Sequence, residues 1–128
     1  TQICRALEFA HGRGILHRDV KPGNVMIGGY GEVYLLDWGV ALHLDERDQA
    51  EPALLGTPAY MAPEMVRGAA AGLDPRTDVY LLGATLHELL TGRPRHHADG
   101  LLATLVAAER SDPPELPADA PVELAELV

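Results

Sequence analysis

The chain opens on an apolar stripe at helical spacing: Ile3, Leu7 and Ala10, with Cys4 and Ala6 between them, stopping at Gly12 and Gly14. That pattern predicts an amphipathic helix ended by the glycines. Cys4 is expected to be one of its small core residues. Ile15 and Leu16 then lead into a polar loop over residues 17–24. Val25-Met26-Ile27 reads as a short buried strand, Gly28-Gly29-Tyr30-Gly31 as a turn, and Glu32-Val33-Tyr34-Leu35-Leu36 as the partner strand. From Val40 to Gly56 the periodicity breaks, and residues 45–52 are expected to form a polar surface loop.

The second half predicts helices. A short helical turn is expected from Pro63 to Arg67. Asp74-Pro75-Arg76-Thr77 is a helix start, an acidic cap followed by proline at the first helical position. Residues 78–90 are apolar on nearly every side, which predicts a helix enclosed by the rest of the molecule. Gly92 ends it, with Pro94 beyond. Residues 99–109 predict a second, amphipathic helix with Leu101, Leu102, Leu105 and Val106 facing inward. Residues 112–117, rich in proline, read as a rigid connector, and residues 121–128 as the start of a final helix. The expected class is mainly α with one small β-hairpin.

Composition narrows the possible functions. With 128 residues, 47% hydrophobic and 23% charged, the chain is globular and long enough for one core. Its formal net charge of −9, with ten Lys and Arg scattered along the chain, predicts no nucleic-acid or anionic-lipid surface. The single cysteine excludes an internal disulfide and a thiolate metal cage. No apolar run has the length of a membrane span, and no signal-peptide pattern opens the chain, so a cytoplasmic segment is expected. His96 and His97 adjoin Asp99, but adjacent side chains seldom converge on one ion, so a solvated loop is expected there. His11, His43 and His87 are read the same way.

The chemistry sits in ordered motifs: His17-Arg18-Asp19 with Lys21 and Asn24, Asp37-Trp38-Gly39, Gly56-Thr57-Pro58, Ala62-Pro63-Glu64, and Asp78 with Gly83. Together these resemble the eukaryotic-like Ser/Thr protein kinases, in particular their bacterial members, from about Gln2 to about Val122. The resemblance implies a protein-kinase-like C-terminal lobe, the α+β kinase fold without its N-terminal lobe. Residues 1–128 would then be a partial catalytic domain, cut at both ends and inactive by itself. No glycine-rich loop or strand lysine occurs in it.

The implied activity is ATP- and Mg²⁺-dependent phosphorylation of Ser or Thr on protein substrates. In that likeness Asp19 is the base that accepts or orients the substrate hydroxyl proton. Lys21 neutralises the transferring phosphoryl group and marks Ser/Thr preference. Asn24 and Asp37 hold Mg²⁺ through oxygen atoms. Thr57 bonds near Asp19 and Lys21 and helps select a hydroxyl residue. Residues 58–64 form the wall beside the substrate peptide. Trp38 replaces the commoner phenylalanine ahead of Gly39. Glu64 and Asp78 are structural, Asp78 accepting backbone N–H groups of the catalytic loop. Arg18 is the residue that, in relatives, meets a phosphorylated activation loop. No Ser, Thr or Tyr lies between Trp38 and Gly56, which predicts a loop not switched by phosphorylation, with Asp45, Glu46, Asp48 or Glu51 as a standing anion. Two other readings remain open at this point: a pseudokinase that only binds, and a small-molecule phosphotransferase of the aminoglycoside or choline kinase type.

Overall fold

Helix α1 (Gln2–His11) buries Ile3, Leu7 and Ala10, the stripe that its spacing predicts. It ends where Gly12 N–H bonds the Glu8 carbonyl and Gly14 takes a left-handed φ of 72°. Cys4 is exposed, contrary to the expectation of a core position. At 100° per residue it stands about 90° round the helix from that stripe. The computed structural model describes residues 2–118 and 120–125.

Two antiparallel ribbons follow. Strand β1 (Ile15–Leu16) pairs with β4 (Leu42–His43), in the register Ile15 to His43 and Leu16 to Leu42. Strand β2 (Val25–Ile27) pairs with β3 (Val33–Leu35), with Val25 opposite Leu35 and Ile27 opposite Val33. The second ribbon is the expected hairpin. The first was not foreseen, because two-residue strands carry no period. Strand β2 is less buried than expected: Met26 and Ile27 are exposed, since α1 packs against the β3 side of the ribbon. Gln2 fastens that side, its amide donating to the Gly31 carbonyl and accepting from Val33 N–H.

Residues 47–55 form an irregular polar stretch after one 3-10 turn at Leu44–Glu46. Helix α2 (Pro63–Val66) is a single turn, close to its expected bounds. Helix α3 (Pro75–Thr91) starts as the sequence predicts. Asp74 accepts Arg76 N–H at 2.8 Å, Thr77 Oγ1 accepts from Asp74 N–H, and Pro75 sits at the first position. Gly92, at φ 71°, closes it with a bond from its N–H to the Glu88 carbonyl. The helix is not enclosed all round. Leu81, Ala84 and Thr85 are buried, whereas Val79, across the helix from them, and Leu89, near its C-terminal end, are exposed.

Helix α4 (Leu101–Arg110) packs on α2, with Ala108 in the core and Leu105 partly buried against it. Here the expected inner face needs correction. Leu102 and Val106 are exposed, because they lie across the helix from Ala108, and Leu101 is exposed at its first turn. Helix α5 (Val122–Ala125) falls within the final helix expected from the sequence, and residues 126–128 lie outside the described residues. One core, containing Leu7, Leu16, Val20, Met61, Met65 and Leu81, joins α1, the first ribbon, α2 and α3. Among the described residues no helix is long and apolar enough to cross a membrane.

Candidate active site

The loop over residues 17–24 takes its shape from a carboxylate far along the chain. Asp78, fully buried in the first turn of α3, needs hydrogen-bond donors to offset the loss of water. Its Oδ1 accepts Arg18 N–H at 2.8 Å, and its Oδ2 accepts His17 N–H at 2.8 Å. His11 Nε2, from the end of α1, lies 2.8 Å from the same Oδ2. These bonds hold Arg18 at φ 67°, a conformation costly for a residue with a Cβ.

The Arg18 side chain turns toward the stretch after Trp38. Its Nε donates to the Val40 carbonyl at 2.6 Å and its guanidinium NH₂ to the Ala41 carbonyl at 3.3 Å. Burial lowers the Arg18 pKa, and the Asp78 charge works against that fall. Among the described residues no carboxylate forms an ion pair with this guanidinium, so Asp45, Glu46, Asp48 and Glu51 do not supply the contact expected of them.

Asp19 is the hub of the polar cluster. Thr57 Oγ1 donates to its Oδ1 at 2.7 Å, and Lys21 Nζ donates to its Oδ2 at 2.8 Å. Lys21 Nζ also donates to Thr57 Oγ1 at 2.6 Å, which closes a triangle. The Asn24 amide gives both hydrogens to Asp19, one to the carbonyl at 2.8 Å and one to Oδ2 at 3.0 Å. Its oxygen is therefore left for another partner.

Thr57 reaches Asp19 because Gly56, at φ 109°, lets the two backbones approach. A Cβ at residue 56 would stand 2.8 Å from the Arg18 carbonyl.

The second ribbon delivers Asp37. Leu36 N–H donates to the Asn24 carbonyl at 2.8 Å, so Asp37 is one residue beyond the partner of Asn24. Asp37 has φ 58° and is exposed, and its Oδ1 accepts Gly39 N–H at 3.2 Å. His17 Nε2 lies 2.9 Å from the Leu36 carbonyl and Trp38 Nε1 donates to the Leu35 carbonyl at 3.1 Å. The two rings meet edge to face, 4.5 Å between centroids. His17 Nδ1 accepts Asp19 N–H at 3.2 Å, which places the imidazole hydrogen on Nε2.

The structure thus joins Asp19, Lys21, Asn24 and Thr57 in one hydrogen-bonded cluster, with Arg18 and Asp78 behind it. Asp37, Trp38 and Gly39 stand at the adjoining end of β3. Glu64 is elsewhere: its Oε1 accepts the Thr77 hydroxyl at 2.8 Å, linking α2 to the start of α3. Asn24 and Asp37 offer a neutral and a charged oxygen, which suits a hard divalent cation. Among the described residues no three His, Cys, Asp or Glu side chains form a complete cage. This donor set fits magnesium, which takes its remaining ligands from phosphate and water.

Sequence reasoning missed both histidines that hold the loop. His11 and His17 lie at a helix end and in a loop, where no periodicity marks a buried role. His96 and His87 were also misjudged. His96 is buried, its Nε2 3.0 Å from Tyr80 Oη and its ring stacked on Tyr80. Burial, with the charge of Arg95, pushes its pKa down to about 4. His87 is buried beside the Arg93 carbonyl, and burial lowers its pKa as well.

Comparison with known proteins agrees with this architecture. Residues 1–111 match the family described as protein kinase domain. A probable serine/threonine-protein kinase of Corynebacterium efficiens is 42% identical over 114 residues, 87% of this chain and 17% of that protein. PknB of Mycolicibacterium smegmatis, a serine/threonine-protein kinase, is 42% identical over 88% of this chain and 18% of its own length. PknA of Mycobacterium tuberculosis, also a serine/threonine-protein kinase, is 38% identical over 99% of this chain and 29% of its own length. The chain therefore spans less than a third of each of these relatives. On the family match and these likenesses, the chain belongs to the protein kinase domain family.

Proposed function

We propose that residues 1–128 form the substrate- and metal-handling lobe of a Ser/Thr protein kinase, which transfers the γ-phosphoryl group of ATP to a protein hydroxyl. The observation that carries this reading is the triangle of Asp19, Lys21 and Thr57. A carboxylate that accepts from both a hydroxyl and an ammonium group is held in one orientation, as a base for an incoming hydroxyl must be.

Asp19 would take or orient the proton of the attacking Ser or Thr. Lys21, free to leave the carboxylate when substrate enters, would follow the phosphoryl oxygens. Thr57 would hold the Asp19 carboxylate at the angle that the acceptor oxygen needs. Asn24 Oδ1 and the Asp37 carboxylate would hold magnesium, which when bound offsets the negative charge of the phosphates. Asp78 and His11 fix the loop that carries Asp19, so the catalytic contribution is placement. The 128-residue polypeptide alone is proposed to be inactive, the nucleotide being held jointly with a lobe outside it.

The test uses the full-length protein. Asp19→Asn should abolish transfer to a Ser or Thr peptide while ATP binding survives. Asp37→Ala should weaken metal-dependent nucleotide binding itself. Unchanged turnover in Asp19→Asn rejects the assigned base. Phosphorylation of an aminoglycoside in place of the peptide would move the assignment to small-molecule phosphotransferases.

A further inference from the structure

One residue between α3 and α4 holds the backbone of the stretch 58–64 from outside. His96 N–H donates to the Ala59 carbonyl at 2.9 Å. Its imidazole is buried, with Nε2 3.0 Å from Tyr80 Oη. The other side of the ring meets the Met61 backbone in a hydrogen bond that favours a proton on the ring, so the ring donates and the carbonyl accepts. Burial and the Arg95 charge outweigh that contact and leave the ring uncharged at neutral pH. An uncharged imidazole has one hydrogen and one lone pair. With the hydrogen on Nδ1 toward Met61, Nε2 accepts from the Tyr80 hydroxyl. The Tyr80 oxygen then accepts from its second partner, the Ser111 hydroxyl. Each hydrogen in this row has one acceptor.

Both ends of the row are anchored. Tyr80 stands on α3 two residues past Asp78, the carboxylate that shapes residues 17–24. Its ring packs against the core and lies nearly parallel to the imidazole, at 12°. Ser111 follows α4 with φ 46°, a conformation that costs a residue with a Cβ and persists where contacts hold it. The Tyr80 hydroxyl is one such contact, and Arg95, the neighbour of His96, donates to the carbonyl of Asp112. At the other end, Met61 is fully buried. The N–H groups of Tyr60 and Met61 close a turn on the carbonyls of Thr57 and Pro58. The turn held by His96 therefore begins at Thr57, the residue bonded to Asp19 and Lys21.

We propose that His96 is a positioning residue for the peptide wall: its backbone N–H and its ring hold the Ala59–Met61 backbone, and Tyr80 and Ser111 brace the ring from α3 and the end of α4. An arriving peptide then meets a surface already ordered, which favours its binding. The inference rests on the reading of residues 58–64 as the peptide wall of a Ser/Thr kinase and deepens it.

The experiment uses three variants of the full-length protein. His96→Phe keeps a ring on Tyr80 and the main-chain bond to Ala59 but has no ring nitrogen. Tyr80→Phe removes one oxygen and keeps the packing, so loss of the bond is read apart from loss of fold. The third variant combines the two. Transfer to a Ser or Thr peptide is measured at varied peptide and varied ATP, and amide exchange of Tyr60 and Met61 is measured without either. Each single variant should raise the peptide KM about fivefold, the weight of one ordinary hydrogen bond, with kcat and the ATP KM within about twofold of the parent's. The double variant should also stand near about fivefold, since both changes break the same row. A product of the two effects, about twenty-five-fold, overturns the row as one unit. A peptide KM equal to the parent's in Tyr80→Phe overturns the bracing, and a fall in kcat at unchanged peptide KM overturns the wall as its target. A parent that phosphorylates no Ser or Thr peptide instead refutes the reading under Proposed function. The substrate-free exchange still decides the clamp: faster exchange in both single variants upholds it, and exchange equal to the parent's overturns it.

Discussion

Gly56 is the residue at which the smallest change should have the largest effect. Its φ of 109° and the Arg18 carbonyl 2.8 Å from any added Cβ leave no space for alanine. Gly56→Ala should destabilise the protein by about 1–3 kcal/mol through backbone strain alone, and the clash should also draw Thr57 off Asp19. Denaturant unfolding and turnover, measured together, check both effects. Thr57 offers a finer test, because its hydroxyl both donates and accepts. Thr57→Ser should retain most of the activity. Thr57→Val, of similar shape, should lose about tenfold or more, since Asp19 and Lys21 each lose a partner. Equal rates in the two variants would remove Thr57 from the site. Asp19, Lys21, Asn24 and Thr57 were legible in the sequence because their order and spacing are a motif, and the contacts expected of Thr57 and Asp78 are present. His11, His17 and His96 were not legible. A histidine is buried by what packs over it from distant segments, and no local pattern records that.

At the scale of elements, the stretch between Trp38 and Gly56 carries the regulatory question. It contains no hydroxyl side chain, and its start is already fixed by the β1–β4 pairing and by Arg18 on the Val40 and Ala41 carbonyls. Phosphatase treatment of the purified full-length protein should therefore leave its phosphoryl-transfer rate unchanged within about twofold, the scale of a few tenths of a kcal/mol. Loss of activity traced to an essential modified Thr57 or Tyr60 would contradict this. The sequence announced the elements with long patterns or explicit caps. Helix α3 has Asp74, Pro75 and Gly92 at its ends, and the β2–β3 hairpin has its glycine turn. It did not announce the β1–β4 ribbon, whose two-residue strands pair across a gap in the pattern. The inward face of α4 was misread because Ala108, a small residue, makes the close approach to the core while larger leucines stay outside.

For the molecule as a whole, buried histidines tie stability to pH. The folded pKa of His96, about 4, lies below the value near 6.5 of an exposed histidine. Between those values the unfolded chain binds a proton that the native state excludes. Stability is thus full above pH 6.5 and declines as pH falls from 6.5 through 4, by no more than about 3 kcal/mol from this group. His87, lowered in the same direction, adds to the decline. Melting temperatures of the full-length protein across that range should fall less steeply in His96→Gln than in the parent. Parallel slopes would show that His96 is not the titrating group.

The grip of Asp78 on the amides of His17 and Arg18 spans about sixty positions of sequence. On the ribosome, residues 17–24 emerge long before the carboxylate that shapes them. A nascent polypeptide halted ahead of α3 would have every residue of the Asp19 motif and no formed loop to carry them. Competence for phosphoryl transfer should therefore arise abruptly, once the first turn of that helix has cleared the exit tunnel and docked, with no partly active species before it.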